Sequence, residues 1–295
     1  MTRRWHNALK TGLLIGGFSA LVLAVGQWLG GMPGLVLAAL IALGVNGISY
    51  LYSDRLALRA MHAVPVGAWQ APRLHAIVSE LANESRMPLP RIYISPTSTP
   101  NAFATGRNPR HAVVCVTEGL LNILDERELR GVLGHEMSHV GNRDILISSI
   151  AAGFASMIMI LVNLAQLGAV FGFGSSDDDS GPGFLEIILL ALLGPLAATL
   201  IQAAISRSRE YAADERGAAI TGDPAALANA LSKIDRGARA RPLEPSGQTA
   251  PVSALMIANP FSASTAMRLF STHPDTADRI ARLRAMTGEK RDSSA

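Results

Sequence analysis

His135, Glu136 and His139 have the residue types and the spacing that bind a metal ion, because they form a His-Glu-x-x-His pattern. On a helix, residues four apart lie on the same face, one turn above the other. Two imidazoles in this relation can hold one Zn²⁺, and the glutamate between them can reach a water molecule at the metal. The pattern therefore predicts a zinc hydrolase, with a peptidase as the simplest case.

A catalytic zinc ion needs a third protein ligand and leaves its fourth position to water. Glu210 is the candidate in this chain, and Asp214 follows four residues later, on the same face of a predicted helix. The Asp214 carboxylate can accept the free ring N–H of a liganding histidine and so fix its tautomer. An exposed acidic helix face is the alternative interpretation of these two residues.

The His-Glu-x-x-His pattern lies in a segment with clear helix signals. Asp125 and Glu128 have the spacing of a capping box, apolar residues follow at helical spacing, and Gly141-Asn142 marks the end. Periodicity and turn residues predict the other elements: helices over 71–85, 207–220, 223–231 and 274–286, strands over 91–95, 101–106 and 111–117, and a loop over 236–252. The single cysteine, Cys115, falls in a predicted strand, so we expect a buried and unreactive thiol.

The chain is poor in charge and rich in apolar runs, which is typical of a membrane protein. Charged residues make up 17% of its 295 residues, against about 25% in soluble domains. The uncharged runs 11–29 and 33–52 are each close to the ~20 residues that span a bilayer, and two further apolar runs cover 145–176 and 184–206. We therefore expect about four transmembrane helices in two hairpins, with a cleavable signal peptide as the alternative for the first run.

Basic residues next to the apolar runs predict the orientation of the chain. They precede the first run, follow the second and follow the fourth, as Arg3, Arg4, Lys10, Arg55, Arg59, Arg207 and Arg209. The loops inside the two hairpins carry neither Lys nor Arg. The positive-inside rule then places both termini and the His-Glu-x-x-His segment on the cytoplasmic side of the inner membrane. The basic residues that give the chain its net charge of +3 lie beside the apolar runs and are not gathered on one face of a domain. We therefore expect no nucleic acid partner.

These patterns predict an integral membrane protein of the α+β class, mainly α-helical, with a zincin-like catalytic domain on the cytoplasmic side. We expect an N-terminal transmembrane hairpin over 1–53 and a catalytic segment with a small sheet over 54–144. A second transmembrane hairpin over 145–206 and a C-terminal catalytic segment over 207–295 follow. The proposed zinc ligands then come from two segments on either side of a membrane hairpin.

Four short segments, in combination, are similar to the signatures of a known family. They are Asn101-Ala-Phe-Ala-Thr-Gly106, His135-Glu-Met-Ser-His139, Arg209-Glu-Tyr-Ala-Ala-Asp214 and Ser271-Thr-His273-Pro274. Through them the chain resembles the HtpX membrane metallopeptidases, which are related to the CAAX prenyl endopeptidases. The four apolar runs also match the layout of this family, so the resemblance covers nearly the whole chain.

The resemblance implies a role for each site residue. His135, His139 and Glu210 would bind one Zn²⁺, and Glu136 would be the general base. His273 would be a second catalytic residue that stabilises the oxyanion. Asp214 and Arg279 would support the site from behind. An extended substrate would dock by main-chain hydrogen bonds on the strand of Asn101, Ala102, Phe103, Ala104 and Thr105.

The resemblance further implies an endopeptidase that degrades misfolded or damaged membrane proteins and is linked to stress. Its partners would be protein or peptide substrates and the lipid bilayer. A non-catalytic scaffold or chaperone that keeps the zinc site is the alternative, although a structural site does not require Glu136. Charges around the motif helix, such as Asp125 and Asp144, disfavour a site within the bilayer, and nearly uncharged spans disfavour a transporter. Arg207 and Arg209 are either interfacial anchors or substrate contacts.

Overall fold

The computed structural model describes residues 2–142, 144–170, 207–261 and 274–292. Its helices are α1 Thr2–Ala60, α2 Pro72–Glu84, α3 Glu118–Ile123, α4 Glu126–Asn142, α5 Asp144–Val170, α6 Arg207–Thr221, α7 Pro224–Ala240, α8 Thr249–Val252 and α9 Thr276–Asp292. Its strands are β1 Val64–Pro65, β2 Arg91–Ser95, β3 Ala102–Thr105 and β4 Val113–Thr117. The predicted α+β class with mainly helical content is confirmed.

Helix α1 is a hairpin of two apolar arms. Gly31 breaks the helix at φ 55° and ψ −140°, a conformation that glycine adopts without a Cβ clash. The side chain of Asn46 in the second arm donates to Ser19 Oγ in the first at 2.8 Å. The arms Leu9–Trp28 and Gly30–Ala60 are each long and apolar enough to cross a membrane. These arms are the first two of the four predicted spans.

Helix α5 lies along the hairpin and begins the third predicted apolar run. Phe154 of α5 stacks on Phe18 with ring centroids 4.5 Å apart, and Gly153 lies so close to Ser49 that an added Cβ would meet its side chain at 3.1 Å. The end of the third run and the whole fourth run fall within 171–206, outside the described residues. The second transmembrane hairpin therefore stays a prediction.

The four strands form one small sheet in the order β1-β2-β4-β3. The central strands β2 and β4 are parallel, and β3 runs antiparallel to β4 at one edge. All five residues of β4 are buried, and its first four form a continuous apolar run, which is typical of a strand that is buried on both faces. Burial raises the pKa of the Cys115 thiol on this strand far above its usual range, so the expectation of an unreactive cysteine is consistent with its surroundings.

The motif helix α4 begins as its sequence predicts. The backbone N–H of Glu128 donates to Asp125 Oδ1 at 2.9 Å, and the backbone N–H of Asp125 donates to Glu128 Oε2 at 3.0 Å. This reciprocal pair satisfies two backbone donors that a helix start otherwise leaves without partners.

The prediction of a loop over 236–252 was wrong at both ends. Helix α7 continues to Ala240, and the short helix α8 covers Thr249–Val252. Ile234 and Ala238 are both buried on α7, so their four-residue spacing extends the apolar face beyond the predicted end at Leu231. Packing of this face outweighs the glycine and arginine content that suggested a loop.

Two glycines allow helices α4 and α6 to approach each other very closely. A Cβ added to Gly217 on α6 would lie 2.8 Å from the backbone nitrogen of His135 and 2.9 Å from its Cα. A Cβ added to Gly134 on α4 would lie 3.2 Å from the carbonyl oxygen of Gly217. The backbone of the proposed zinc ligand His135 therefore rests directly on α6.

Replacing Gly217 by alanine tests this contact. We expect Gly217→Ala to lower the free energy of unfolding by about 1–3 kcal/mol, because the new methyl group meets backbone atoms that cannot move independently. It should also weaken zinc binding, because it pushes His135 away from α6. Thermal unfolding and zinc titration in detergent measure both effects. Gly44→Ala, at a helical glycine with open space around it, is the matched control, and equal behaviour of the two variants would contradict the argument.

Candidate metal centre

The side chains of His135, His139 and Glu210 meet at one point between α4 and α6. The Nε2 atoms of the two histidines are 3.2 Å apart. Glu210 places Oε2 3.6 Å from His135 Nε2 and Oε1 3.5 Å from His139 Nε2. Atoms about 2.0–2.1 Å from a common centre in a tetrahedral arrangement lie roughly 3.3–3.4 Å apart. The three side chains can therefore hold a metal ion, and two imidazoles with one carboxylate suit zinc.

Two aspartates hold the imidazole rings from behind. Asp214 Oδ1 lies 2.8 Å from Nδ1 of His135, and Asp144 Oδ2 lies 3.4 Å from Nδ1 of His139. A carboxylate only accepts hydrogen bonds, so each Nδ1 carries the proton. Each Nε2 lone pair is then directed at the place where the three ligands meet, which is the tautomer that metal binding requires.

Asp214 is in turn held by Arg279. The guanidinium donates to both carboxylate oxygens at 2.8 and 2.7 Å, and it donates to the Ile257 carbonyl at 2.6 Å. Burial alone raises the pKa of Asp214, but Arg279 outweighs this effect and holds the pKa well below its usual range. The aspartate is thus a permanent anion behind His135. Arg279 and His135 both contact Asp214 Oδ1, and the supporting role of Asp214 and Arg279 stays a prediction.

Negative charge dominates the centre. Burial lowers the pKa of His139, but Glu210, Asp144 and Glu136 outweigh it and raise this pKa to about 9. The carboxylates that favour a proton on His139 favour a cation at the same place, so a metal ion and a proton compete for this ring.

Glu136 faces the same cavity as the three ligands. Its side chain is buried, and burial raises its pKa to about 7, while the charge of His139 opposes this shift. Its Oε1 atom has no hydrogen-bond partner among the described residues, and its carboxylate accepts the backbone N–H of Ala104. The cavity volume is about 20 Å³, which is room for about one water molecule. A carboxyl group in this position can accept a proton from water near neutral pH.

The predicted substrate-docking strand is β3, and part of its outer edge is already occupied. Ile257 donates from its backbone N–H to the Ala102 carbonyl at 3.0 Å, and Phe103 pairs with Met256. Ala104 lines the cleft beside Glu136. The prediction that this strand docks a substrate is therefore narrowed to its Ala104 end. Thr105 and Asn101 make buried contacts, Thr105 to Ser149 and Asn101 to the Ala258 carbonyl.

Three further residues from the sequence analysis are His273, Arg207 and Arg209. His273 lies outside the described residues, so its catalytic role stays a prediction. Arg207 is exposed, whereas Arg209 lines the cleft.

The contact between Asp144 and His139 was not predicted from the sequence. We expected the Asp144 charge in water, but the residue is 5% exposed and contacts the ring of His139. The two residues are five apart, across the end of α4 and the start of α5, so no helical spacing indicates the contact.

Removing the charge of Asp144 tests its role in holding His139. We expect Asp144→Asn to weaken zinc binding by about 10- to 100-fold, which is the usual effect of losing such a partner. Competition with a fluorescent zinc chelator measures the affinity. Asp278→Asn, at an exposed aspartate beside Arg279, is the control and should bind as the parent does. A parent-like affinity in Asp144→Asn would rule out the assigned contact.

Comparison with known proteins identifies the family of the chain. Residues 68–287 match peptidase family M48. A protein of Kineococcus radiotolerans called Protease HtpX homolog is 51% identical over 295 residues, which cover 98% of this chain and 99% of that protein. A protein of Arthrobacter sp. with the same name is 51% identical over 287 residues, or 96% of this chain and 97% of its own length. The crystal structure of S. mikatae Ste24p has 20% identity and a TM-score of 0.49, over 96% of this chain and 67% of that one. The chain therefore belongs to peptidase family M48, among the HtpX homologues, and is a metallopeptidase.

Proposed function

We propose that the chain is a zinc endopeptidase of the inner membrane that hydrolyses peptide bonds in misfolded or damaged membrane proteins on the cytoplasmic side. The observation that carries the proposal is the meeting of His135, His139 and Glu210 at tetrahedral spacing beside the buried carboxyl group of Glu136. One zinc ion per chain would bind at these three ligands.

The chain's own residues supply the proton transfers of peptide hydrolysis. A zinc ion bound by His135, His139 and Glu210 would supply positive charge, which would polarise the substrate carbonyl and make water more acidic. Glu136 accepts one proton from the attacking water while a carbon–oxygen bond forms at the carbonyl carbon. It then passes this proton to the leaving nitrogen as the carbon–nitrogen bond breaks, which gives a carboxylic acid and an amine. The acid then loses the second proton of the water molecule to the amine or to solvent, so the final products are a carboxylate and an ammonium group. The N–H of Ala104 orients the Glu136 carboxylate during both transfers.

The membrane location is supported by the two apolar arms of α1 and by the basic residues beside them. Both arms have mostly exposed side chains, as lipid-facing helices do. Arg55 and Arg59 lie in the second arm, just after the uncharged run 33–52, and both are exposed. The positive-inside rule then supports a cytoplasmic catalytic domain, within reach of membrane proteins that fail to fold.

Replacing the proposed base separates metal binding from catalysis. We expect Glu136→Gln to keep its zinc and to lose about 10²- to 10⁴-fold in kcat, because the amide cannot accept the proton. The assay is digestion of an unfolded membrane protein in detergent, with and without a chelator, alongside zinc analysis by atomic spectroscopy. Glu126→Gln, at an exposed residue in the first turn of α4, is the control. Parent-like hydrolysis by Glu136→Gln would contradict the assignment of Glu136 as the base, whereas a parent protein without chelator-sensitive hydrolysis would support the scaffold or chaperone alternative.

Replacing the third ligand tests the metal site itself. We expect Glu210→Ala to lose most of its zinc, because two imidazoles alone leave the ion without its carboxylate ligand. Glu215→Ala, at an exposed position on the same helix, should keep a full complement of zinc. Equal zinc contents in the two purified variants would show that another residue is the third ligand.

A further inference from the structure

Arg209 stands out among the residues that line the catalytic cleft. Of those the structure describes, it is the one lysine or arginine. It lies on α6 directly before the ligand Glu210. Its Nη1 nitrogen is buried and has no hydrogen-bond partner among the described residues.

The surroundings of Arg209 differ from those of a purely structural arginine. Arg279 directs its guanidinium at the Asp214 carboxylate and the Ile257 carbonyl. Burial lowers the pKa of Arg209, and the charges of Asp144 and Glu210 oppose this effect. These two carboxylates keep the guanidinium charged, as arginine is in proteins generally. A buried charged donor without a partner is unfavourable, and it can be satisfied by a ligand that brings an oxygen atom into the cleft.

A peptide in this cleft brings such an oxygen atom. When water adds to the scissile carbonyl, the carbonyl oxygen becomes negative. The carboxylate of Glu210, which lines the same cleft, repels this charge, whereas a guanidinium N–H attracts it. Donors directed at the place where charge develops stabilise the transition state more than the bound substrate.

We propose that Arg209 donates a hydrogen bond from Nη1 to the carbonyl oxygen of the scissile peptide bond and binds it more tightly as that oxygen becomes negative. Arg209 is then a further catalytic residue of the same reaction, so the inference rests on the proposed function. It also decides between the two roles that the sequence left open for this residue, in favour of substrate contact over interfacial anchor.

The test compares Arg209→Met and Arg209→Lys with Arg207→Met, a matched control at an exposed arginine two residues earlier on the same helix. Each purified full-length protein is assayed with a quenched fluorescent peptide that ends in an amide and with the same peptide ending in a free carboxylate. Zinc content and the midpoint of thermal unfolding are measured for every variant. Inhibition by a phosphinic peptide, whose anionic oxygens resemble the tetrahedral intermediate, is the readout that a merely structural role would not move.

We expect Arg209→Met to keep its zinc and to lose about 10²-fold in kcat on both peptides, with a change in KM of less than about threefold. Its affinity for the phosphinic peptide should fall by a similar factor. Arg209→Lys should recover part of the kcat, because it keeps a positive charge. Arg207→Met should match the parent protein, because Arg207 is exposed and is not among the described residues that line the cleft.

Three results would overturn the inference while leaving the proposed function intact. The first is a parent-like kcat in Arg209→Met. The second is a loss of kcat in both Arg209 variants that merely follows a loss of zinc. The third is a loss of kcat confined to the peptide with a free carboxylate, because this result would assign Arg209 to the substrate terminus. An inactive parent protein that binds zinc would overturn the proposed function as well.

Discussion

The close approach of α4 and α6 at Gly134 and Gly217 is the contact on which the metal centre depends. With any larger side chain at Gly217, the new Cβ would meet the backbone of His135, and the two helices would have to separate. The proposed ligands His135 and His139 come from one helix and Glu210 comes from the other, so a separation of even one ångström would spoil the tetrahedral spacing. Gly134 and Gly217 thus set the distance between the two imidazole rings and the Glu210 carboxylate.

Each proposed histidine ligand is held by an aspartate, and each aspartate has an arginine nearby. Asp214 lies between His135 and Arg279, and Asp144 lies near both His139 and Arg209. The first arginine is buried behind the centre and completes the hydrogen bonds of its aspartate. The second lines the cleft and keeps one donor for a ligand. The pair of Asp214 and Arg279 would therefore support the centre from behind, whereas the pair of Asp144 and Arg209 leaves a guanidinium nitrogen that can contact a substrate in the cleft.

Local sequence patterns predicted the elements whose causes are local. The Asp125–Glu128 capping pair and the alternating strand β2 appear where the sequence predicts them, since neighbouring residues decide them. The Asp144–His139 contact crosses a helix junction, and the pairing of Met256 with Phe103 joins residues far apart in sequence. Such contacts depend on how the elements pack, which no short pattern records. His135 and His139 could be predicted as candidate metal ligands because helix geometry and zinc chemistry set their spacing. Glu210 comes from another helix, so its position beside them depends on how the helices pack.

The proposed zinc site is complete only when a carboxylate from α6 joins two imidazoles from α4. X-ray absorption at the zinc edge of the purified protein tests this dependence most directly. We expect a four-coordinate ion with two imidazole nitrogens at about 2.0–2.1 Å and oxygen ligands at about 2.0–2.2 Å. A spectrum with three or more imidazoles would contradict it, because it would draw a further ligand from among the other five of the chain's 7 histidines. A sulfur ligand near 2.3 Å would also contradict it, because Cys115, the only cysteine, would then have to leave its buried strand.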